Sequence, residues 1–243
     1  MAAEHATGWT TRHLLGFDTE TTGVDVRNDR IVSAALVRRD STGAHVRSWL
    51  IDPGIEIPAA AAAIHGFSTE HVRLHGRPSS TALDEIADAL VAALREGAAL
   101  VAFNASFDLA ILDAELARHA LPSLVDRLGG APVRPVIDPM VLDRMAEPQR
   151  EGGRRLVDLC EHYGVATGIL HTADADTLAT LEVLDHVLER NPVLAAADPE
   201  QLHDRQAIAV AAWRAVHHAR KAAEAAQSVL DALMAVGAPS ARA

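Results

Sequence analysis

The chain has 243 residues, of which 49% are hydrophobic and 23% are charged, and its formal net charge at pH 7 is -11. A chain of this length can bury one sizeable core, so we expect one main domain with an appendage. The acidic balance argues against a protein that holds nucleic acid by broad electrostatic attraction, because such binders carry a surplus of Lys and Arg. It leaves open an enzyme whose clustered carboxylates hold divalent cations, since bound metals add positive charge that the side-chain count omits.

Signals for membrane insertion and export are missing from the sequence pattern. The longest apolar stretches are short and Ala-rich, as in residues 57–64, whereas a membrane span needs about 20 apolar residues. Residues 1–10 lack the basic start, apolar run and cleavage site of a secretory signal, and we expect them to be flexible. The single cysteine, Cys160, excludes an internal disulfide and a cysteine-based metal cage, and it fits a small core residue in a helix. These features predict a cytoplasmic protein with no membrane contact.

The N-terminal part of the chain is rich in predicted β-strand. An apolar run at residues 13–17 and a run of Val, Ile and Ala at residues 31–37 both fit strands. A third strand, at residues 45–51, follows a turn at residues 40–43. The second and third strands are therefore expected to form an antiparallel hairpin.

Strands and helices then alternate along the chain. A helix is predicted behind the capping candidates Ser79, Ser80 and Thr81, because apolar residues recur there at helical spacing. The later predicted elements are strands at residues 98–103 and 135–137 and helices at 107–116, 139–145, 156–163 and 176–190. This order predicts an α/β domain at residues 11–190, in which helices flank a mixed central sheet that contains an antiparallel hairpin strand.

The end of the chain has a different composition. Asn191-Pro192 interrupts the helical pattern, and residues 198–236 are dominated by Ala, Glu, Arg and His. The apolar positions in this stretch are Leu202, Ala209, Trp213 and Val216. We therefore expect a helical C-terminal extension at residues 191–243. Such a stripe fits a helix that packs back on the core, which is its commoner use, or a docking element for a partner.

Two carboxylates, Asp18 and Glu20, stand at alternate positions where the first strand runs into a Gly turn. Side chains two apart on a strand point to the same face. The two acids can therefore converge on one cation, and hard divalent ions such as Mg²⁺ or Mn²⁺ prefer oxygen ligands. Without further ligands, such a pair is part of a solvated loop as often as it is part of a metal site.

Three further acids or bases follow predicted strands or precede predicted helices. Asp108 falls in the first turn of the helix after the strand at residues 98–103. His171 precedes the last helix of the main domain, and Asp176 lies in the first turns of that helix. Ligand sites in open α/β sheets gather at the carboxyl ends of strands and at helix starts. We therefore expect these side chains to join the acidic pair.

Together these segments resemble the three motifs of the DEDDh exonuclease family, which includes the proofreading epsilon subunit of bacterial DNA polymerase III. The motifs match as Asp18-Thr19-Glu20-Thr21-Thr22-Gly23, Asn104-Ala105-x-Phe107-Asp108 and His171-x-Ala173-x-x-Asp176. Two shorter segments, Ile64-His65-Gly66-Phe67-Ser68 and Ile137-Asp138-Pro139, also resemble parts of the family pattern. The resemblance covers residues 13 to about 190 and departs at Phe103, where relatives often have His.

The resemblance implies an RNase H-like exonuclease fold and a metal-dependent 3′-to-5′ exonuclease that releases nucleoside 5′-monophosphates. It implies two divalent metal ions, Mg²⁺ or Mn²⁺, held by Asp18, Glu20, Asp108 and Asp176. Asp18 would bridge the two ions. Glu20 and Asp176 would hold the ion that activates water, and Asp108 would support the other. His171 would be the general base, because an imidazole exchanges protons near neutral pH.

The resemblance also suggests residues that contact the substrate. These candidates are Thr21, Thr22, Gly23, His65, Phe67 and Asn104. The first three could hold the terminal sugar, since Gly permits close approach. His65 and Phe67 could stack on the last base, although Phe67 fits the core equally well. Three arginines, Arg150, Arg154 and Arg155, could contact phosphates, but arginines in such a loop are more often solvated.

The expected substrate is the 3′ end of a single-stranded nucleic acid, with DNA favoured and a role in proofreading or repair. A DNA polymerase subunit is a candidate protein partner. Family members also trim RNA with the same residues, so an RNA 3′ exonuclease is an alternative. A catalytically idle nucleic-acid-binding or polymerase-docking module is the alternative from another class, and the presence of every motif residue speaks against it.

Overall fold

The structure is a computed structural model that describes residue 9, residues 12–166 and residues 171–236, with side chains in the last range up to residue 228. The other residues of the expected flexible segment at 1–10 and residues 237–243 of the expected extension lie outside the described residues. Trp9 is fully buried, and its Nε1 donates a hydrogen bond of 3.0 Å to the carbonyl oxygen of Ala195. This position of the expected flexible segment is therefore anchored to the core.

The strands form one six-stranded mixed sheet. They are β1 (Leu14–Thr21), β2 (Ile31–Asp40), β3 (Gly43–Asp52), β4 (Arg77–Pro78), β5 (Ala99–Val101) and β6 (Val136–Ile137). Their order across the sheet is β4-β3-β2-β1-β5-β6. β1, β2 and β3 are antiparallel neighbours, whereas β5 runs parallel to β1 and β6, and β4 runs parallel to β3. The prediction of an α/β domain with a mixed sheet and a hairpin is confirmed.

Helices connect the strands and cover both faces of the sheet. They are α1 (Ala59–His65), α2 (Thr69–His75), α3 (Ser79–Arg95), α4 (Ala105–Arg118), α5 (Leu124–Arg127), α6 (Pro139–Ala146), α7 (Leu156–Tyr163), α8 (Ala173–Arg190), α9 (Pro192–Ala195) and α10 (Pro199–Val236). The sequence pattern does not predict α1, α2 and α5. These helices are too short to show an amphipathic stripe, and two of them begin at caps, Ser68 and Ser123. Among the described helices, none is both long and apolar enough to cross a membrane.

Strand β1 separates two parts of the core. Leu14 packs in a cluster with α7 and α8, whereas Phe17 packs in a cluster with α3 and α4. Because strand side chains alternate, Asp18 and Glu20 follow Leu14 onto the α8 face. Thr19 follows Phe17 onto the α4 face. The strand thus directs its polar residues at two different helices.

Strand β1 also extends farther than the sequence pattern predicts. The apolar run ends at Phe17, but the strand continues to Thr21, which pairs with Ile31 of β2 after an irregularity at Glu20. Pairing with β2 holds polar residues that would not form a strand by themselves. Asp18 and Glu20 therefore lie inside a strand, where the backbone fixes their direction.

Helix α8 lies directly against β1 at Gly16. A methyl group at Gly16 would overlap with the side chain of Thr177, which is fully buried in α8. The Thr177 hydroxyl donates a hydrogen bond of 2.5 Å to the carbonyl oxygen of Ala173, so this side chain is held in place. The close approach brings the first turn of α8, with Asp176, to the strand that carries Asp18.

The first turns of α10 pair with the edge strand β6. His203 Nδ1 accepts a hydrogen bond from the Val136 N–H at 3.1 Å, and Gln206 Oε1 accepts one from the Asp138 N–H at 2.8 Å. Gln206 Nε2 donates to the carbonyl oxygen of Val136 at 3.1 Å. These side chains satisfy backbone groups that an edge strand otherwise leaves unpaired. The predicted helical extension is present, and its start packs back on the core.

Candidate active site

Asp18, Glu20 and Asp176 form the centre of the site. One carboxylate oxygen from each lies within 4.8 Å of the other two, and all three side chains are half-buried. Asp18 and Glu20 come from one face of β1, and Asp176 comes from the first turn of α8. The fold therefore brings together acids from the two ends of the predicted domain.

Asp108 stands beside this cluster in the first turn of α4. Its carboxylate is 3% exposed and accepts a hydrogen bond of 2.7 Å from the Thr19 hydroxyl. Its charge contributes, after burial, to a raised pKa at both Asp18 and Glu20. The four predicted ligands thus face one region, with Asp108 outside the closest group of three.

Burial destabilises the charged forms of all four acids, and repulsion from the other acids of the cluster adds to this effect at Asp18 and Glu20. Burial, followed by repulsion from the other three acids, raises the pKa of Asp18 well above its usual range. Burial, followed by repulsion from Asp176 and Asp108, raises the pKa of Glu20 to about 7. Burial also raises the pKa of Asp108 to about 7, although the hydrogen bond from Thr19 opposes that rise. A divalent cation would displace the protons that these groups retain.

The donor set fits a hard divalent cation. Three mutually close carboxylate oxygens from Asp18, Glu20 and Asp176 are ligands of the kind that Mg²⁺ and Mn²⁺ prefer. Burial raises the pKa of Asp176 as well, so each acid would gain from a nearby positive charge. The site is therefore suited to bind divalent metal.

His171 lies next to the acidic cluster. Its side chain is exposed, and its backbone N–H donates a hydrogen bond of 3.0 Å to Oδ1 of Asp176. Burial raises the pKa of Asp176, and the backbone and charge of His171 oppose that rise. His171 has a φ of 84°, a left-handed conformation that costs a non-Gly residue roughly 1 kcal/mol or more. The preceding residues, 167–170, lie outside the described part of the chain.

His65 and Phe67 form a stacked pair near Thr21. Their ring centroids are 5.5 Å apart, and His65 Nδ1 accepts a hydrogen bond of 3.1 Å from the Phe67 N–H. Burial lowers the pKa of His65, and a backbone interaction with Thr21 opposes part of that effect. Phe67 is half-buried and also packs on a small core cluster that includes Val72. His65 is 5% exposed, so the half-buried ring of Phe67 is the part of the pair that lies nearer the surface beside the end of β1.

Thr21 and Thr22 shape the turn after β1. The Thr22 hydroxyl is buried, donates to Oδ1 of Asp29 at 2.8 Å and accepts from the Arg30 N–H at 3.0 Å. The Thr21 hydroxyl donates to the carbonyl oxygen of Gly23 at 2.7 Å. A Cβ at Gly23 would overlap with the carboxylate of Asp29, so this turn requires Gly. The Thr22 side chain is thus buried and bonded within the turn, whereas the Thr21 side chain is partly accessible to solvent.

Asn104 begins α4 in the left-handed conformation, with a φ of 55°. Its backbone N–H and that of Ala105 donate to the carboxylate of Asp138 at 3.2 and 3.1 Å. Asp138 is buried and also caps α6 by accepting from the Met140 N–H at 3.0 Å. Asp138 therefore fixes the start of the helix that carries Asp108.

The arginines before α7 belong to an internal network in this structure. Asp143 is fully buried and accepts hydrogen bonds from Arg150 at 3.0 Å and from Arg154 at 2.8 Å. The Tyr163 hydroxyl donates to the same carboxylate at 2.9 Å. Arg155 pairs with a carboxylate in the first turn of α7. These ion pairs hold the loop that leads into α7.

The residues that position the acids are less visible in the sequence than the acids themselves. Gly16, Thr19 and Asp138 are absent from the predicted set of site residues, although Thr19 and Asp138 lie in segments that carry the family resemblance. Strand alternation would have placed Thr19 on the face opposite to the acids. Its partner on α4, and the neighbour of Gly16 on α8, follow only from the fold.

The family model described as Exonuclease, that of RNase T, matches residues 15–184. The DNA polymerase III PolC-type of Streptococcus thermophilus LMD-9 is 33% identical over 171 residues, which are 69% of this chain and 10% of that protein. The DNA polymerase III PolC-type of Lacticaseibacillus paracasei is 29% identical over 192 residues, which are 78% of this chain and 12% of that protein. The chain thus spans about a tenth of the length of these curated relatives.

Two solved structures illustrate the same fold. E. coli exonuclease I in complex with a dT13 oligonucleotide aligns with a TM-score of 0.65 and 20% identity over 76% of this chain and 42% of that chain. Exonuclease I from Methylocaldum szegediense aligns with a TM-score of 0.63 and 22% identity over 76% of this chain and 42% of that chain. These likenesses confirm the RNase H-like exonuclease fold. With the family model matched over well over half of its length, the chain belongs to the DEDDh family of metal-dependent 3′-to-5′ exonucleases.

Proposed function

We propose that this chain hydrolyses phosphodiester bonds at the 3′ end of single-stranded DNA and releases nucleoside 5′-monophosphates. The meeting of Asp18, Glu20 and Asp176 within 4.8 Å, with Asp108 beside them, carries this proposal. Carboxylates in such an arrangement serve phosphodiester hydrolysis by holding divalent cations. DNA is the proposed strand because an exonuclease I structure similar to this chain holds a DNA oligonucleotide.

Asp18, Glu20, Asp108 and Asp176 are the proposed ligands of two ions, Mg²⁺ or Mn²⁺. Bound metals would supply a more acidic water, neutralise charge on the phosphate and help the departing 3′ oxygen. Asp18 would be a central ligand, because one of its carboxylate oxygens lies within 4.8 Å of oxygens of both Glu20 and Asp176. Asp108 accepts a hydrogen bond from Thr19, whose side chain is on the face of β1 opposite to Asp18 and Glu20. This position suits a ligand that lies outside the closest group of three acids.

His171 is the proposed general base, which takes the proton from the attacking water. Two observations support this role. Its backbone is tied to Asp176, so the imidazole stays beside the acids. Its side chain is exposed, so the proton can pass on to bulk solvent. Backbone strain of the kind seen at this residue also concentrates at functional sites.

The terminal nucleotide is proposed to lie against Thr21 and the stacked pair of His65 and Phe67. Stacking on an aromatic side chain contributes about 1 to 3 kcal/mol per base and tolerates any sequence. Phe67 would make the stacking contact, and the buried His65 would support its ring from behind. Thr22 and Gly23 would act by shaping the turn, and Asn104 would contact the strand at the start of α4.

The test is degradation of a single strand labelled at its 5′ end, as DNA and as RNA in parallel, with Mg²⁺, Mn²⁺ or EDTA. Removal from the 3′ end yields a ladder of shortened labelled products, whereas removal from the 5′ end releases the label at once. We expect a DNA ladder that requires metal. A ladder from RNA alone would make the chain an RNA exonuclease, and no metal-dependent product from either strand would favour a binding module.

Two matched variants on α4 separate a site effect from a general charge effect. Asp108→Asn removes a buried carboxylate beside the cluster, and Asp113→Asn removes an exposed one from the same helix. The first variant should lose the ladder and the second should retain it. Equal loss in both variants would argue that the position of Asp108 is not what matters.

A DNA polymerase subunit is the proposed protein partner. The curated relatives are DNA polymerase III PolC-type proteins, and this chain matches about a tenth of their length. A role in proofreading, as the family resemblance suggests, requires a polymerase that presents the 3′ end. Co-purification of a polymerase subunit with the full chain from its own cells tests this proposal, and purification of the chain without one would overturn it.

A further inference from the structure

An open groove of about 660 Å³ lies where α10 crosses the start of α4 and helix α6. The residues that α10 contributes include His203, Gln206, Val210, Trp213, Arg214 and His217. Apart from the neighbours Trp213 and Arg214, they recur every three or four positions, so they share one face of the helix. The opposite wall includes Asn104 and Arg144. The groove thus joins the extension, which lies beyond the residues matched by the family model, to the helix that carries Asp108.

The groove is positive and aromatic, although the chain as a whole is acidic. The guanidinium of Arg144 lies over the ring of Trp213, with its carbon 4.4 Å from the centroid. Among the described side chains, neither Arg144 nor Arg214 forms an ion pair with a carboxylate, and both are exposed. The carboxylate that lines the groove, Asp138, is 8% exposed and already accepts the backbone hydrogen bonds of Asn104 and Ala105.

The positive stripe continues along α10. Between Arg205 and Glu224 the helix contains no acidic residue, in a chain whose net charge is -11. Lys221, the single lysine of the sequence, follows His217 by four positions and therefore lies on the groove face. Residues 214–228 are all exposed, so this face is open to a ligand.

The groove includes the start of the helix that carries Asp108. Asn104 lines it and precedes Asp108 by four residues, about 6 Å along the axis of α4. Asp138 forms part of the groove wall and fixes the start of the same helix through its hydrogen bonds to Asn104 and Ala105. A polymer whose end reached the acids could therefore pass along this wall without leaving the surface.

We propose that the groove face of α10 binds the single strand of DNA upstream of its 3′ end and guides that end to the acids. This inference rests on the proposed function. Exposed arginines beside an aromatic ring hold the phosphates and bases of single strands without sequence preference. A strand of DNA fits the groove better than an acidic peptide would, because DNA also presents flat bases to Trp213 and to the apolar side chains of Leu109 and Met140 that line the groove.

The test is the binding of a fluorescent single-stranded DNA of about 15 nucleotides to the full chain in EDTA, so that nothing is cleaved, at several salt concentrations. The double variant Arg144→Gln with Arg214→Gln should raise Kd about tenfold. It should also lower the slope of log Kd against log salt by about 1.4, because each phosphate contact of a single strand contributes about 0.7. Lys221→Gln, in the exposed part of α10, should lower the slope by about 0.7.

Arg205→Gln is the matched control. Arg205 is exposed and lies nine positions before Arg214, which places it on the opposite face of α10. This variant should bind DNA as tightly as the unaltered chain, with the same salt dependence. Equal weakening by Arg205→Gln, or an unchanged slope in the other variants, would overturn the proposal and leave the groove to a protein partner.

Two further outcomes distinguish this inference from the proposed activity. A chain that binds DNA through Arg144 and Arg214 but releases no nucleotide would support the inference and overturn the activity. If the unaltered chain degrades DNA but the Arg144 and Arg214 variants bind DNA normally, the proposed activity is supported and the inference about the groove is overturned. A loss of binding confined to a matched RNA strand would overturn the assignment of the groove to DNA.

Discussion

The Thr19 hydroxyl donates a hydrogen bond of 2.7 Å to the carboxylate of Asp108, from the face of β1 opposite to Asp18 and Glu20. Strand β1 therefore presents Asp18 and Glu20 on one face and holds Asp108 through a side chain on the other face. Alternation of side chains along three residues thus organises every acid of the cluster except Asp176, which comes from α8.

We predict that Thr19→Val lowers activity by about tenfold or more and raises the pH at which activity appears. The hydrogen bond from Thr19 opposes the effect of burial on the pKa of Asp108, so its loss moves that pKa further upward. Asp108 would then release its proton to a metal only at higher pH. The measurement is kcat/KM as a function of pH at saturating Mg²⁺.

Thr180→Val is the control for this prediction. Thr180 is 1% exposed, and its hydroxyl has no hydrogen-bond partner among the described residues. Its replacement should leave the pH profile unchanged and the stability unchanged or slightly higher. An identical shift in both variants would show that a general loosening of the core, and not the contact with Asp108, controls the profile.

We predict that Gly16→Ala destabilises the chain by about 1 to 3 kcal/mol and reduces activity, because the new methyl group overlaps with the Thr177 side chain. Thr177→Ser should restore both properties in the double variant. Serine lacks the overlapping methyl group but keeps a hydroxyl that can donate to Ala173, as Thr177 does. Denaturant unfolding of the two single variants and the double variant measures the coupling. Additive losses would contradict the proposed contact.

We predict that the metal-free chain loses stability as pH rises from about 5.5 to about 8. Burial and the neighbouring acids raise the pKa of Glu20 to about 7, and burial raises that of Asp108 to about 7, whereas unfolded carboxyls titrate near 4. The folded chain therefore retains protons that the unfolded chain has lost, and its free energy of unfolding falls as those protons leave.

Added Mg²⁺ should reverse this pH trend, because the cation takes the place of the protons that Glu20 and Asp108 lose and neutralises the repulsion among the carboxylates. The rise in melting temperature on adding Mg²⁺ should be larger at about pH 8 than at about pH 5.5. Thermal unfolding in EDTA and in Mg²⁺ measures both effects. The same rise at both pH values would show that metal does not bind at these acids.

We predict that His171→Ala lowers turnover by about 100-fold or more while Mn²⁺ still binds. The imidazole is exposed and only its backbone is bonded to Asp176, so the substitution leaves the acids in place. Single-turnover hydrolysis and Mn²⁺ titration measure the two properties separately. His186→Ala is the control, because His186 is a half-buried histidine of α8 that pairs with Glu189. Near-normal turnover without His171 would remove it from the mechanism.

We predict that Gln206→Leu destabilises the chain by about 2 kcal/mol or more and lowers activity. The change leaves the Asp138 N–H and the Val136 carbonyl of the edge strand without partners, and each unsatisfied buried group costs about 1 to 3 kcal/mol. Activity should suffer because Asp138 fixes the start of α4.

Gln206→Glu tests this interpretation, since it keeps the acceptor for the Asp138 N–H but loses the donor to Val136. Its unfolding free energy should lie between those of the unaltered chain and Gln206→Leu. Denaturant unfolding gives the order of the three proteins. A Gln206→Leu variant as stable as the unaltered chain would show that water can replace the side chain at this edge.

Local patterns were sufficient to predict several elements. The hairpin of β2 and β3, the helix α7 at Leu156–Tyr163 and the helical extension all agree with the sequence, because alternation, helical spacing and turn residues act over short distances. The far end of β1 could not be predicted in this way. Its polar residues adopt a strand conformation because β2 pairs with them. The local sequence pattern does not show which strand will be the partner.

The role of the arginines before α7 also could not be predicted from the local sequence. A loop containing Arg150 and Arg154 has the charge of a phosphate contact when read alone. In the fold both side chains bind the buried carboxylate of Asp143 on α6. No sequence pattern indicates that Asp143 is their partner. A buried charge requires opposite charges, so burial of one residue decided the role of two others.

The sequence by itself determined which side chains can bind metal and that they stand on a strand or near helix starts, because residue chemistry and strand alternation are local properties. Only the tertiary structure decided that Asp176 meets Asp18 and Glu20 within 4.8 Å. That meeting depends on the packing of α8 against Gly16, a contact between residues far apart in the chain. The groove beside α10 arises in the same way, since a helix acquires a facing wall only when another part of the chain folds against it.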